Sequence, residues 1–270
     1  MKLAFIGGGN MANALIGGLL AQGARPGALS VVEPVAAARR RLGARYKVHA
    51  SSAPDARTAA ADTLVLAVKP QDMRAAVAPL AGKLGNRLVI SIAAGIRLRD
   101  LARWLGGHAK LVRCMPNTPA LIGAGITGLY APPGVSAAEK RRAERILGAV
   151  GKVVWVRHEA LLDPVTAVSA SGPAYVFWFI EQLAAAGAAL GLKPETSAEL
   201  ALETVLGAAM LAARSKEPPA VLRERVTSKG GTTAAALDVF DQEQLAARFR
   251  RAIEAASRRG TELGELLGKD

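Results

Sequence analysis

Two stretches of this chain gather glycines, hydroxyls and unpaired backbone N–H groups where an anion could be held. The first is Gly7-Gly8-Gly9-Asn10-Met11-Ala12, behind the apolar run Leu3-Ala4-Phe5-Ile6 and ahead of Ala14-Leu15-Ile16. A strand, a glycine turn and a helix in that order make a seat for a pyrophosphate. Gly7 can turn the chain tightly, Gly9 leaves a phosphate free to approach the backbone, and Ala12 lets the helix lie close to the strand. The helix start adds unpaired N–H groups and partial positive charge. Leu29-Ser30-Val31-Val32 then leads to Glu33, an acid where a βαβ unit meets ribose hydroxyls. The spacing predicts a dinucleotide site built on Gly7, Gly9, Asn10, Met11, Ala12 and Glu33.

The second stretch is Val226-Thr227-Ser228-Lys229-Gly230-Gly231-Thr232-Thr233, running into Ala234-Ala235-Ala236-Leu237-Asp238. An N-cap needs a single hydroxyl. Here Thr227, Ser228, Thr232 and Thr233 crowd one turn, which suits the gripping of a small carboxylate without a dedicated arginine. Ser169-Ala170-Ser171-Gly172-Pro173-Ala174-Tyr175 is another small polar turn that feeds an apolar helix.

Ligands of an open α/β sheet sit beyond the carboxyl ends of its strands. Three more polar segments fall there: Val68-Lys69-Pro70-Gln71, Ala93-Ala94-Gly95 and Met115-Pro116-Asn117-Thr118-Pro119. Val68, Lys69, Pro70, Ala94 and Asn117 are therefore expected at the cofactor, with Lys69 and Asn117 orienting the nicotinamide or its ribose. The plainer alternative makes Lys69 a solvated charge and Asn117 a turn residue. His49, His108 and His158 lie outside all these loops, and no His, Cys or carboxylate spacing suggests a metal. An imidazole base of the kind alcohol dehydrogenation needs is missing. Reduction of a protonated imine needs none, because the iminium accepts hydride directly.

The elements that would position these residues change character along the chain. Apolar runs Thr63–Val68, Leu88–Ile92 and Leu111–Met115 read as strands buried on both faces of a parallel sheet, with Gly125–Tyr130 and Lys152–Val156 as later strands. Between them, Val35–Leu42 reads as helix, and Leu98, Leu101, Ala102 and Leu105 share a helical face. Ser136 and Glu139 form a capping box opening another helix. From about Leu161 the strand signal gives way to helices at Pro164–Ala170, Pro173–Leu190, Pro194–Ala213, Pro219–Val226, Thr232–Phe240 and Gln242–Leu267. The expected architecture is a doubly wound α/β Rossmann-like domain, residues 1–158, followed by an all-helical domain, residues 159–270. Apolar faces on so many helices predict burial against a second subunit.

At 270 residues and 51% hydrophobic composition, the chain has ample material for two domains and a buried core. Its 35 Lys and Arg outnumber 22 Asp and Glu, for a net charge of +13. Apart from Arg39-Arg40-Arg41 and Arg141-Arg142 these cations are scattered, and no aromatic stacking pattern accompanies them, so a nucleic-acid partner is not expected. The charge does favour anionic ligands. A lone cysteine, Cys114, fits a reducing cytosol, and its apolar neighbours point to a buried, inert thiol. Glu181 and Gln182 interrupt Pro173–Leu192, which argues against a membrane span there. A cytoplasmic protein without a membrane partner is expected.

The glycine turn, Val68-Lys69-Pro70-Gln71, Asn117-Thr118-Pro119, Ser171-Gly172-Pro173-Ala174-Tyr175 and the Thr227–Asp238 segment stand in an order that resembles the pyrroline-5-carboxylate reductases. The resemblance spans the chain. It implies hydride transfer from NADH or NADPH to the C=N carbon of 1-pyrroline-5-carboxylate, giving L-proline in the last step of proline synthesis. It also implies that Ser228, Gly230, Gly231 and Thr232 hold the substrate carboxylate, that Thr233 serves the ring nitrogen, and that helical domains interlock as homodimers, commonly assembled into decamers. Two positions depart from the family's pattern. Lys229 stands where relatives often have proline. Glu33 stands where many have Asn or Ser, which leans the cofactor toward NADH because an acid repels a 2′-phosphate. A β-hydroxyacid-type dehydrogenase would carry a catalytic lysine in the first long helix of its second domain, yet Gly172–Leu192 has none. A non-catalytic nucleotide-binding protein would leave the Thr227–Thr233 cluster without a purpose.

Overall fold

Short apolar runs without alternation become strands covered on both faces. The computed structural model describes residues 1–269. Its strands are β1 (Leu3–Ile6), β2 (Leu29–Val32), β3 (His49–Ser51), β4 (Thr63–Leu66), β5 (Leu88–Ser91), β6 (Leu111–Met115), β7 (Gly125–Tyr130) and β8 (Gly151–Trp155). They form one sheet in the order β3-β2-β1-β4-β5-β6-β7-β8. All neighbours pair parallel except β6 and β7, which are antiparallel. Strand order reverses at β1, so the crevice between β1 and β4 is the topological switch point where such sheets take ligands. Strand β3 has no counterpart among the sequence expectations. Its three residues are all partly exposed at the sheet edge, too few for any periodic signal.

Helices α1 (Asn10–Ala21), α2 (Ala36–Tyr46), α3 (Ala56–Ala59), α4 (Met73–Val77), α5 (Leu98–Trp104) and α6 (Ala137–Leu147) cover the sheet. Alternation along β1 sends Leu3 and Phe5 into one core and Ala4 and Ile6 into the other. The first core takes Ala12, Leu15, Ile16 and Leu19 of α1, spaced for one helical face. The second takes Met73 and Val77 of α4 and Leu98 and Leu101 of α5. Full burial of each large side chain contributes about 1.5–3 kcal/mol. Gly18 lets α1 press on the turn after α6, because a Cβ there would run into the Ala149 carbonyl.

The capping box read from Ser136 and Glu139 is present at the start of α6. Glu139 accepts from the Ser136 N–H at 2.8 Å and from Lys110 Nζ at 2.8 Å. Burial alone would raise its pKa. The Lys110 and Ser136 hydrogen bonds outweigh that and hold the carboxyl at about 2, down from 4.5.

An ion cluster that no sequence pattern announced anchors the end of this unit. Arg113 of β6 is buried, 3.1 Å from Glu159 and 3.8 Å from Asp163. Burial lowers its pKa and Glu159 opposes that shift. Glu159 also accepts the Leu98 N–H at 2.8 Å, capping α5, while Asp163 accepts from Arg97 at 2.7 Å and from Thr261 at 2.9 Å. Removing one member would leave buried charge unpaired, at a cost of about 3–5 kcal/mol.

The remaining helices are α7 (Leu162–Val165), α8 (Gly172–Ala189), α9 (Pro194–Arg214), α10 (Pro219–Arg225), α11 (Thr232–Gln242) and α12 (Leu245–Leu267), with a π-helical stretch at Thr166–Ala170. By contacts the chain divides after Ser171. Gly172–Glu254 forms a second unit, and the turns of α12 from Ala255 onward pack with the first. Thr261 is bonded to Asp163, and a Cβ on Gly264 would lie 2.8 Å from Arg97 Nε. In the sequence α12 is one unbroken stripe, so nothing marks where it changes partners.

Within the second unit the small-residue run of α8 does what its composition allows. Gly187 meets Ser197 of α9 closely, and Ser197 Oγ donates to the Ala184 carbonyl at 2.6 Å. Yet only Ser197 and Ala201 of this unit are buried, while Phe177, Trp178 and Phe249 are each more than half exposed. Helix α9 is long and apolar enough, by length and composition, to cross a membrane. Apolar exposure on this scale marks a surface that a partner covers.

Replacing Glu139 with Gln is expected to cost about 1–2 kcal/mol of stability at neutral pH. The carboxylate stabilises the fold fully above its ordinary value of 4.5 and less as pH falls toward about 2, so the gap between wild type and variant should close over that window. Urea unfolding across pH measures it. A gap that stayed constant down to the lower end would contradict the assigned ion pair.

Candidate active site

The glycine turn works because the backbone at the switch point leaves no space for anything larger. Gly7 has φ +99°, and a Cβ there would sit 2.6 Å from the Ala67 carbonyl oxygen beyond β4. Its N–H donates to Val32 at 2.8 Å, drawing the turn against the end of β2. Gly9 is the N-cap of α1 with no side-chain cap, and no atom lies within 4 Å of where its Cβ would be. The first N–H groups of α1 therefore face open space, which an anion can fill. Asn13 holds the turn in shape, donating from Nδ2 to the Gly8 and Gly9 carbonyls at 2.8 and 3.0 Å. The sequence reading gives Asn13 no such role; its place one turn after Gly9 was the available signal.

A cavity of about 670 Å³ opens beside this turn. Gly7, Gly9, Glu33, Val68 and Lys69 line it. Glu33 is held by backbone: Oε2 accepts the Gly8 N–H and Oε1 the Val35 N–H, both at 2.9 Å. Ala12 is fully buried beneath the turn, Met11 is partly buried, and Asn10 is exposed at the first position of α1. These features fit a dinucleotide: an open helix start for the pyrophosphate, a fixed carboxylate for ribose hydroxyls, and room for the adenosine half.

Three expected cofactor residues do not line this cavity. Pro70 opens the short turn Pro70–Asp72 without lining the cavity, and Ala94 lies in the turn before α5, also outside it. Asn117 is mostly buried and its amide is in use: Nδ2 donates to the Ser169 carbonyl at 3.2 Å and Oδ1 accepts the Ile126 N–H at 2.9 Å. These bonds tie the π-helical stretch to the start of β7. Asn117 therefore holds a turn, with one N–H of its amide left over.

The hydroxyl cluster surrounds the start of α11. Gly230 has φ +70°, Gly231 is the N-cap, and the Gly231 N–H donates to the Ser228 carbonyl at 3.0 Å to close the turn. Thr227 spends its hydroxyl on the Arg223 carbonyl at 2.7 Å. Ser228, Thr232 and Thr233 are not buried, and their hydroxyls bond to no other described residue. A glycine N-cap offers no side chain to the first N–H groups of the helix. The turn therefore presents uncommitted O–H and N–H donors, with Lys229 exposed among them.

The cysteine and two of the histidines are committed away from these places. Cys114 is buried, and desolvation pushes its thiol pKa far up. His49 pairs with Asp55 at 2.6 Å and His108 Nε2 bonds the Arg87 carbonyl at 2.8 Å. Among the described residues no group of three His, Cys, Asp or Glu could hold a metal.

A nucleotide cradle at the switch point of a parallel sheet, followed by a helical unit with uncovered apolar faces, defines a two-domain nicotinamide-dependent oxidoreductase. Comparison with known proteins agrees. Residues 2–95 match the model for NADP oxidoreductase, coenzyme F420-dependent, and residues 159–263 match the model for pyrroline-5-carboxylate reductase dimerisation. The chain is 46% identical to a pyrroline-5-carboxylate reductase of Pseudomonas aeruginosa, covering 99% of this chain and 98% of the relative. It is 35% identical to that of Escherichia coli, covering 99% and 98%. The structure of a pyrroline-5-carboxylate reductase from Coxiella burnetii superimposes with a TM-score of 0.93 at 39% identity, over 97% of this chain and 98% of that one. The Plasmodium falciparum pyrroline carboxylate reductase with NADP bound gives 0.84 at 29% identity, over 98% of each chain. The chain belongs to the pyrroline-5-carboxylate reductase family and carries that family's dimerisation domain, so it self-associates.

Changing Gly7 to Ala is expected to destabilise the fold by about 2–4 kcal/mol, from the positive φ and the contact with Ala67, and to weaken nucleotide binding together with it. Chemical denaturation and a cofactor titration measure the two effects. A loss below about 0.5 kcal/mol would show that the turn tolerates a side chain.

Proposed function

We propose that this protein reduces the C=N bond of 1-pyrroline-5-carboxylate to L-proline, the final step of proline synthesis, and that the two donor-rich turns serve that one reaction. Reduced nicotinamide, when bound, supplies a hydride. The cradle's part is to fix the dinucleotide: the α1 start and Gly9 for the pyrophosphate, Glu33 for the adenosine ribose, Lys69 for the nicotinamide half. The part of the α11 turn is to fix the imine. Ser228, Gly230, Gly231 and Thr232 hold the substrate carboxylate with backbone N–H and hydroxyl donors, and Lys229 adds positive charge. Thr233 faces the ring nitrogen and keeps its proton in place. Hydride adds to the ring carbon, the π pair of the C=N bond settles on nitrogen, and a secondary amine results. No side chain needs to remove a proton from carbon, in keeping with loops that hold neither histidine nor cysteine. Orientation then supplies most of the acceleration.

The observation that carries this reading is the set of solvent-accessible hydroxyls on Ser228, Thr232 and Thr233, unbonded around a glycine-capped helix start. Helix α8 holds no lysine, which disfavours a β-hydroxyacid-type dehydrogenase. We place the functional division at residues 1–158 and 159–270. We further propose NADH as the favoured cofactor, because Glu33 offers a fixed carboxylate where a 2′-phosphate would fall. The same reading takes the working assembly as a decamer built from dimers, in the cytoplasm, with neither nucleic acid nor membrane as partner.

In steady-state imine reduction, Ser228→Ala and Thr232→Ala are expected to raise KM for the imine about 5- to 50-fold, with little change in KM for NADH. Thr233→Ala should lower kcat by about 10- to 100-fold. Wild-type kcat/KM should be at least as high with NADH as with NADPH. An NADPH advantage of about tenfold or more would overturn the Glu33 reading. Failure to oxidise L-proline or thiazolidine-4-carboxylate at high pH, with cofactor still bound, would favour a non-catalytic nucleotide-binding protein.

A further inference from the structure

The turn that leaves β5, residues 93–97, is gripped by the last turns of α12. Gly95 has φ +77°, and a Cβ there would lie 3.0 Å from Leu267 Cδ1. A Cβ on buried Gly264 would lie 3.1 Å from the Gly95 carbonyl oxygen and 2.8 Å from Arg97 Nε. Leu267 packs against the core that holds Ala93 and Ile96, the residues on either side of this contact. Arg97 is fixed in turn by Asp163, which also takes the Thr261 hydroxyl of α12. Beyond the helix, Arg103 donates from Nη2 to the Gly268 carbonyl at 2.9 Å. Glycine is a poor helix former, yet Gly260, Gly264 and Gly268 recur at every fourth position here. At Gly264 the missing side chain is what lets the helix reach the turn. Gly260 is looser, with no atom nearer than 3.7 Å to its would-be Cβ.

The gripped turn stands where the cradle sends the second half of a dinucleotide. A pyrophosphate at the start of α1 and an adenosine ribose at Glu33 occupy the ends of β1 and β2, so the other half extends across the switch point over β4 and β5. Neighbouring strands are about 4.8 Å apart, which puts the end of β5 about 10 Å from that of β1. The Ile92 N–H still pairs with the Leu66 carbonyl at 3.1 Å, so the turn begins level with Ala67 and Val68, which line the cavity. Ala94 and Gly95 keep part of their surface open. We propose that Gly264 and Leu267 are positioning residues for the nicotinamide half of the cofactor: by holding Gly95 they fix the backbone of Ala93, Ala94 and Gly95 against which that half is laid. This rests on the reading of the glycine turn as the nucleotide cradle. The adenosine half is served by Gly8, Gly9 and Glu33, whose side-chain and turn hydrogen bonds involve no residue of α12. The two halves of the cofactor therefore depend on different parts of the chain.

The test compares two ligands that share the adenosine half. NADH and ADP-ribose, which lacks nicotinamide, are titrated by calorimetry into the full-length wild type and its Gly260→Ala, Gly264→Ala and Leu267→Ala variants. Gly264→Ala forces a methyl group against the Gly95 carbonyl, whereas Leu267→Ala frees Gly95 without adding volume. Each should weaken NADH binding about 5- to 20-fold. ADP-ribose affinity should stay within about twofold of wild type, and Gly260→Ala should leave both ligands within that limit. Should Gly264→Ala not fold, Leu267→Ala gives the result by itself. Equal losses for the two ligands would reduce the contact to a structural one and overturn the proposal, as would no loss in either. Wild type that binds neither ligand would overturn the cradle along with it, whereas wild type that binds both, with variants indifferent, would sink the positioning role alone.

Discussion

A single close approach organises the nucleotide-binding half: Gly7 passes the Ala67 carbonyl with no room for a Cβ. Strand order reverses there, so β1 must deliver its chain upward while β4 leaves the sheet beside it. Only a residue without a side chain, at positive φ, closes that turn. The consequences run outward in sequence. The start of α1 is aimed over the strand ends, Asn13 clasps the carbonyls of Gly8 and Gly9, and the Gly8 N–H becomes available to Glu33. The cradle's geometry is therefore set by one turn.

The helical unit obeys the opposite constraint. It packs α8 against α9 through small residues but leaves its aromatic side chains outside, with almost nothing buried. A unit of this kind cannot draw enough hydrophobic stabilisation from itself. Association is then a condition of its structure, in agreement with the dimerisation domain the chain carries. The α11 turn lies within this unit, so the donors proposed to bind substrate belong to the part of the chain that self-associates.

Much of this was legible in the order of residues alone. Fully apolar runs marked the buried strands, the glycine turn ahead of Ala14-Leu15-Ile16 marked α1, and Ser136 with Glu139 marked the start of α6. What escaped had a physical reason each time. β3 is too short to show a period. The Arg113, Glu159 and Asp163 cluster brings together residues far apart in sequence, each indistinguishable from a surface charge until burial is known. Asn117 follows a buried strand, and nothing in the sequence shows that its side chain bonds the Ser169 carbonyl and the Ile126 N–H. In the Thr227–Thr233 turn, spacing found all four hydroxyls but could not tell that Thr227 is already committed to Arg223.

The chemistry asked of the protein is modest once these parts are in place. An iminium is already electrophilic, so on the proposed reading the chain needs donors for a carboxylate, a hydroxyl for a ring N–H and a rigid nucleotide, which largely uncharged turns would supply. The most direct measurement of that claim is a crystal structure of the protein with NAD+ and L-proline. The account places the proline carboxylate on the Ser228–Thr232 turn with the ring nitrogen at Thr233, and the pyrophosphate at the start of α1. A well-ordered proline whose carboxylate lies elsewhere, with the α11 turn empty, would contradict it.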